Sequence, residues 1–356
     1  MRRPRRRSPW ARGTSERGAS DHRDRRHSAP HHSASFLSRD SLERHQVWWY
    51  LIAVPTGAAL GLMLPGPASR LGDAVWPVLA VLLFATFAQV SVRDIPRALR
   101  DRRFLTAALL ANFALVPLLV AGLVRVVPQD EPLVLGLLLV LLVPCTDWFL
   151  TFTHLGGGDA ARASALTPLT LGLQLLLLPV YLSLFTGFDM SGVFGPAALA
   201  PALWVLGLPL AAALAAEAAS PRLPSLGRLR EGSGVLPVPL LALVLLIVAA
   251  SHITQVSRSL AVLPWVLLVS LLYLAGALAI AVLVARAMRL PTAQGRTLAF
   301  SLSTRNSFIV LPFALSLPAG WEVTAAVIVT QSLLELCAMI ACVRIVPRTL
   351  FRELSV

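Results

Sequence analysis

The sequence predicts an all-α polytopic membrane protein: ten transmembrane helices in two inverted five-helix repeats, with spans four and nine broken and crossing. Three observations carry that prediction. Of 356 residues, 56% are hydrophobic, above the roughly 45–50% usual for soluble domains. They gather into apolar runs about 20 residues long, the length that crosses a bilayer core. The starts of those runs repeat at a nearly constant spacing, and arginine collects in alternate loops.

Residues 1–45 come first. They hold 12 of the 31 basic residues, all arginine, and five of the seven histidines, among serines and prolines. No apolar core region interrupts them, so they read as a disordered cytoplasmic arm and not a secretory signal. The net charge of +13 thus describes a tail and some loops. It points to acidic lipid near the tail, with no nucleic-acid partner. The His-rich spacing is too irregular for a metal site.

Ten spans follow, at about 47–65, 74–92, 104–126, 132–154, 160–186, 194–217, 235–254, 261–288, 292–316 and 321–346. Arg93, Arg97, Arg100, Arg102 and Arg103 lie after span two, and Arg222, Arg228 and Arg230 after span six. Arg286, Arg289 and Arg296 lie between spans eight and nine. Loops of the other parity carry Arg70, Arg125 or Arg258 alone, or none. The positive-inside rule therefore places both termini in the cytoplasm, as an even number of spans requires. Residues 348–356 form a short cytoplasmic C-terminal tail.

Spans two to five start at 74, 104, 132 and 160, and spans seven to ten at 235, 261, 292 and 321. The offset stays near 160. Five helices per unit is odd, so the second unit enters from the opposite side. Residues 46–190 form the first repeat and 191–347 the second. The same offset relates two polar interruptions. Span four breaks at Pro144, Cys145, Thr146 and Asp147, and span nine at Thr304, Arg305, Asn306 and Ser307. Paired interruptions at corresponding positions mark a transport site, because a broken helix frees backbone groups that lipid cannot satisfy.

Three ionisable residues fall at mid-membrane depth: Asp147, Arg305 and Glu335. Arg305 and Asp147 either pair with each other or serve the site. Glu335 is a candidate proton or cation carrier, or a carboxyl bonded to a neighbouring helix. Asn306 can present its amide oxygen to a substrate or cap the second half-helix. Gln174 in span five needs a polar partner; interhelical hydrogen bonds are the default for Asn112 and Gln331. Cys145 draws attention by standing at the break, where a thiol meets a soft substrate. Cys337 and Cys342 read as packing residues. "HLGGGD" (154–159) follows no strand and is not a phosphate-binding loop. No catalytic motif appears, so an enzyme is not expected, nor a cofactor. Nothing in the sequence fixes an oligomeric state.

These residues resemble the bile acid:sodium symporter superfamily and, within it, the ten-helix arsenite permeases of the third arsenical-resistance family. The resemblance covers about 47–346. It rests on Cys145 followed by Gly158 and Asp159, on Gln174 with Val180 and Tyr181, and on Asn306 followed by Glu335. It implies that Cys145 contacts trivalent arsenic, the metalloid substrate, and that Glu335 couples transport to protons. Thr146, Asp147, Arg305, Asn306 and Gln174 would line the cavity. The implied function is proton-coupled arsenite efflux by antiport at the cell inner membrane, with antimonite as a second substrate and arsenic resistance as the outcome. The superfamily's other branch implies sodium-coupled symport of an organic anion. A membrane receptor is the remoter alternative. The expected partners are a small inorganic or organic-anion substrate and the lipid bilayer.

Overall fold

The computed structural model describes residues 39–94, 96, 100–146, 148–187, 196–251 and 261–352, and no strand occurs among them. Helix α1 spans Arg39–Met63, α2 Pro65–Leu71 and α3 Val75–Phe87. Next, α4 (Arg102–Leu110) runs through a π-turn at Ala111–Leu115 into α5 (Val116–Leu123). Glu131–Leu142 (α6), Trp148–Leu155 (α7) and Ala160–Phe185 (α8) complete the first half. The second half holds α9 (Pro196–Ala219), α10 (Pro224–Ser233), α11 (Pro237–Ser251), α12 (Leu263–Ala287), α13 (Thr292–Ser303), α14 (Ser307–Leu315) and α15 (Glu322–Ile345).

Among the described residues, five helical stretches are long and apolar enough to cross a membrane: Gly66–Phe87, Arg102–Leu123, Ala160–Phe185, Leu263–Ala287 and Glu322–Leu350. A sixth arises if α10 and α11, bent by 54° at their junction, count as one. The sequence predicts ten. Two of the shortfalls have a plain cause: α6 and α7 hold 12 and 8 residues, and α13 and α14 hold 12 and 9. At about 1.5 Å per residue no such half reaches the roughly 30 Å of a bilayer core, whereas each pair laid end to end does.

The helices sort by packing into two sets. One contains α1, α2, α3 and α9 to α11; the other contains α4 to α8 and α12 to α15. The halves 46–190 and 191–347 are thus interleaved, each feeding both sets. The core runs through α6, where every residue from Leu133 to Leu142 is buried, packed between α15 and α8. Leu176, Leu184 and Leu283 stand more than 60% exposed; in a membrane protein such residues face lipid.

Helix α1 starts at Arg39, inside the stretch read as tail, and it buries Leu42 and Gln46. The last seven residues of the expected tail, 39–45, lie in α1. Residues 1–38 lie outside the described residues. The C-terminal tail likewise begins packed. Val346–Leu350 is a second π-turn, and the Phe351 carbonyl accepts two hydrogen bonds from Arg296, at 3.1 and 2.9 Å.

Three loops and the C-terminus meet at one end of the bundle. Arg162 donates to Asp101 at 2.6 Å and to Asp159, and Gln294 donates to Asp101 at 3.1 Å. The Asp159 N–H donates to Thr297 Oγ1 at 2.7 Å. "HLGGGD" serves this junction. Gly157 takes a left-handed φ of +66°, and a Cβ on Gly156 would stand 2.2 Å from the Phe300 ring. The glycines let α7 approach α13.

Candidate functional site

Four half-helix ends converge at the two interruptions. Pro144 and Arg305 form an antiparallel bridge. Around it the Cys145 N–H donates to the Thr304 carbonyl at 3.2 Å, and the Asn306 N–H donates to the Val143 carbonyl at 2.8 Å. Each break therefore satisfies backbone groups that the other leaves open, which removes the penalty of unpaired amides in an apolar interior. Helices α6 and α13 aim their partly negative C-terminal ends at the crossing, and α7 and α14 their partly positive N-terminal ends. Asn306 caps α14: its Oδ1 accepts from the Ile309 N–H at 3.3 Å, and its Nδ2 donates to Thr146 Oγ1 at 3.3 Å.

Arg305 is the largest fully buried side chain among the described residues, 1% exposed. Its backbone N–H donates to Glu335 Oε1 at 2.9 Å. Its guanidinium turns the other way. Nη2 donates to Asn112 Oδ1 at 3.2 Å and to the Ser301 and Leu302 carbonyls at 3.0 and 2.7 Å, while Cζ lies 5.4 Å from the Tyr273 ring centroid. Nε and Nη1 have no hydrogen-bond partner among the described residues. Glu335 Oε2 accepts from Gln331 Nε2 at 2.9 Å. Ser332, one turn before Glu335, donates to the Ile328 carbonyl at 2.7 Å and makes a short contact with Ser307.

Of the sequence-predicted residues, the crossing brings together Cys145, Thr146, Arg305, Asn306 and Glu335, all at most 5% exposed. Asp147 lies outside the described residues, and so does any pairing of it with Arg305. Gln174 is buried on α8, with neither amide atom hydrogen-bonded among the described residues, and no hydrogen bond ties it to the crossing. Asp159 caps α8 by accepting from the Arg162 N–H at 3.0 Å, and Tyr181 Oη donates at 2.6 Å to the Phe113 carbonyl of the π-turn. Cys337 is exposed on the outer face of α15, unlike the packing residue expected; Cys342 is buried.

Sequence reasoning missed Tyr273 and Ser301. Tyr273 Oη donates to the Leu302 carbonyl at 2.7 Å, and Asn112 Nδ2 donates to Ser301 Oγ at 2.9 Å. The available signal was a lone tyrosine in an apolar span and a serine in "SLSTRNS" one turn before the arginine. No group of three or more His, Cys, Asp or Glu among the described residues is placed to hold a metal ion.

A cleft of about 410 Å3 opens between α1 and α11 on one side and α14 and α15 on the other, between the two packing sets. Its inner residues Leu245, Val329 and Leu333 also line a gap of about 10 Å3 that reaches Ser307 and Ser332. Aromatic rings pinch that gap. Trp148 stacks on Tyr50 with centroids 6.3 Å apart and meets Phe308 edge-on at 5.4 Å.

The sodium bile acid symporter family model matches residues 76–281, more than half of the chain. The chain belongs to the sodium bile acid symporter family. No curated protein matches it. The family is one of transporters, which makes this a multi-pass membrane protein acting on a small-molecule substrate across a lipid bilayer. The match includes the first break, at 143–147, and ends before the second, so Arg305, Asn306 and Glu335 lie beyond the matched segment of this symporter-family chain.

Proposed function

We propose that this symporter-family protein exports arsenite, and antimonite with it, across the cell inner membrane in exchange for protons. The observation that carries the reading is the meeting of Cys145 and Glu335 on adjacent residues of the second break. The Cys145 N–H is bonded to the Thr304 carbonyl, and Glu335 Oε1 to the Arg305 N–H. One short segment thereby holds the backbone of the residue that carries a soft thiol and, next to it, a protonatable carboxyl. Trivalent arsenic favours sulfur over oxygen ligands. Neutral arsenous acid would exchange one hydroxyl for the Cys145 sulfur, and that hydroxyl would leave as water with the thiol proton. One As–S bond and two As–O bonds result, weak enough to reverse. Glu335 would take up and release the coupling proton, and Thr146 and Asn306 would hold the ligand's oxygens. Gln174 and Asp147 complete the proposed lining, and no resident cofactor is required.

The same reading includes ten spans in two inverted repeats, broken pairs α6–α7 and α13–α14 among them, with both termini cytoplasmic. It is supported by the reciprocal bonds of residues 143–145 and 304–306, which are offset by about 160 positions and pair about a local two-fold. The gathering of Asp101, Asp159, Arg162, Gln294, Arg296 and Phe351 at one end fits loops that share a side. Alternating access would come from one packing set rocking on the other, with the cleft beside α14 and α15 as one mouth.

Arg305 favours a second reading, sodium-coupled symport of an organic anion, because two of its buried N–H groups lack partners among the described residues. Transport in everted vesicles separates the two. Accumulation of As(III) driven by the proton gradient and lost in Cys145→Ser supports export. Sodium-stimulated uptake of an organic anion that survives Cys145→Ser refutes it.

A further inference from the structure

The Arg305 guanidinium occupies a setting built for a small cation. Helix α13 ends at Ser303, so its last carbonyls have no partner further along the helix. Two of them, Ser301 and Leu302, turn toward one point, joined from α4–α5 by Asn112 Oδ1. Asn112 sits in the π-turn, a helical irregularity that recurs at functional positions. Its amide is oriented by donating to the Ala108 carbonyl at 3.1 Å and to Ser301 Oγ at 2.9 Å, which leaves its oxygen facing the carbonyl pair. The Tyr273 ring closes one side. Three oxygens at the negative end of a half-helix, in a buried setting, make the arrangement that holds monovalent cations in transporters built from discontinuous helices.

A single nitrogen, Nη2, sits where those oxygens converge, at 2.7–3.2 Å from each. Guanidinium does not lose its charge in proteins, so the seat holds a permanent +1. We propose that Asn112 Oδ1 and the Ser301 and Leu302 carbonyls form a monovalent-cation seat that the chain keeps filled with its own Arg305 side chain, so that no dissolved cation binds there. The inference deepens the coupling half of the proposed cycle and rests on that reading only for its place in transport. A tethered cation replaces a carried one, and the exchanging charge is left to Glu335. Binding at the seat itself is independent of the substrate.

The test is cation-dependent thermal stability of purified, monodisperse full-length protein, with choline chloride holding ionic strength constant. Wild type and Arg305→Lys are expected to show no saturable response to Na+. Arg305→Ala vacates the seat and is expected to gain a saturable rise in Tm with Na+ or with methylguanidinium, abolished by adding Asn112→Leu. A merely structural arginine would not confer a new cation dependence. Folded Arg305→Ala with no response to Na+, Li+, K+ or methylguanidinium overturns the proposal. So does a saturable Na+ response in wild type that Asn112→Leu removes, a result readable even if Arg305→Ala does not fold. As(III) transport can fail in vesicles without changing these outcomes.

Discussion

Asn306→Ala cuts the side-chain tie between the two breaks and uncaps α14 in one step. The cap bond to the Ile309 N–H and the bond to Thr146 Oγ1 are both 3.3 Å, at the long end of the hydrogen-bond range. Loss of an Asn cap costs typically about 1 kcal/mol. Leaving the buried Thr146 hydroxyl without its donor costs roughly another 1 kcal/mol, the low end for an unsatisfied buried group. The expected destabilisation is therefore about 2 kcal/mol, most of it at the crossing. Asn306→Ser keeps a capping oxygen and should recover about half. A double-mutant cycle with Thr146→Val, followed by reversible unfolding in mixed micelles, isolates the cross-break term, expected at about 0.5–1 kcal/mol. Additive effects of Asn306→Ala and Thr146→Val, within about 0.3 kcal/mol, would refute the claim that these residues tie the breaks together.

Other expectations bear on separate parts of the molecule. Glu335→Gln keeps an oxygen for the Arg305 N–H and removes the titratable group; bound As(III) should be retained while the response of vesicle transport to an imposed pH gradient disappears. Asp101 is driven upward by burial. Hydrogen bonds from Arg162, the Phe104 N–H and Gln294, with the charge of Arg162, outweigh that and hold its carboxyl below the ordinary 3.8. A depressed folded-state pKa stabilises above the unfolded value and is lost as pH falls through the folded one. Asp101→Asn should therefore lower Tm at pH 7, and the gap to wild type should close below about pH 4 in a series of melts. Gly156→Ala places a Cβ against the buried Phe300 ring and should cost about 1–3 kcal/mol in unfolding, with recovery in Gly156→Ala/Phe300→Leu.

Much of the crossing was legible in the sequence because its causes are local. Proline and polar residues end α6 at Leu142, and an asparagine able to cap starts α14 at Ser307. A 160-residue offset then relates Thr146 to Asn306, the pair found in contact. What the sequence withheld depends on distant packing. Arg305 reads as a partner for Asp147 or a substrate, and only the fold shows its guanidinium turned to Asn112, 193 positions away. Tyr273 and Ser301 gain meaning only through that turn. The exposed Cys337 stands two residues after Glu335, about 200° round α15 from it, on the face turned away from the buried Gln331, Ser332 and Glu335. The first turns of α1 were hidden by Arg39, Glu43 and Arg44, whose charges resemble the tail before them.

Arsenic K-edge X-ray absorption of the purified protein loaded with As(III) tests the central claim most directly. Cys145 at the crossing should give arsenic one sulfur and otherwise oxygen neighbours, and Cys145→Ser should return it to an all-oxygen shell, with Cys337→Ser and Cys342→Ser having no effect. An all-oxygen shell in wild type, or a sulfur signal that persists in Cys145→Ser, would contradict the account.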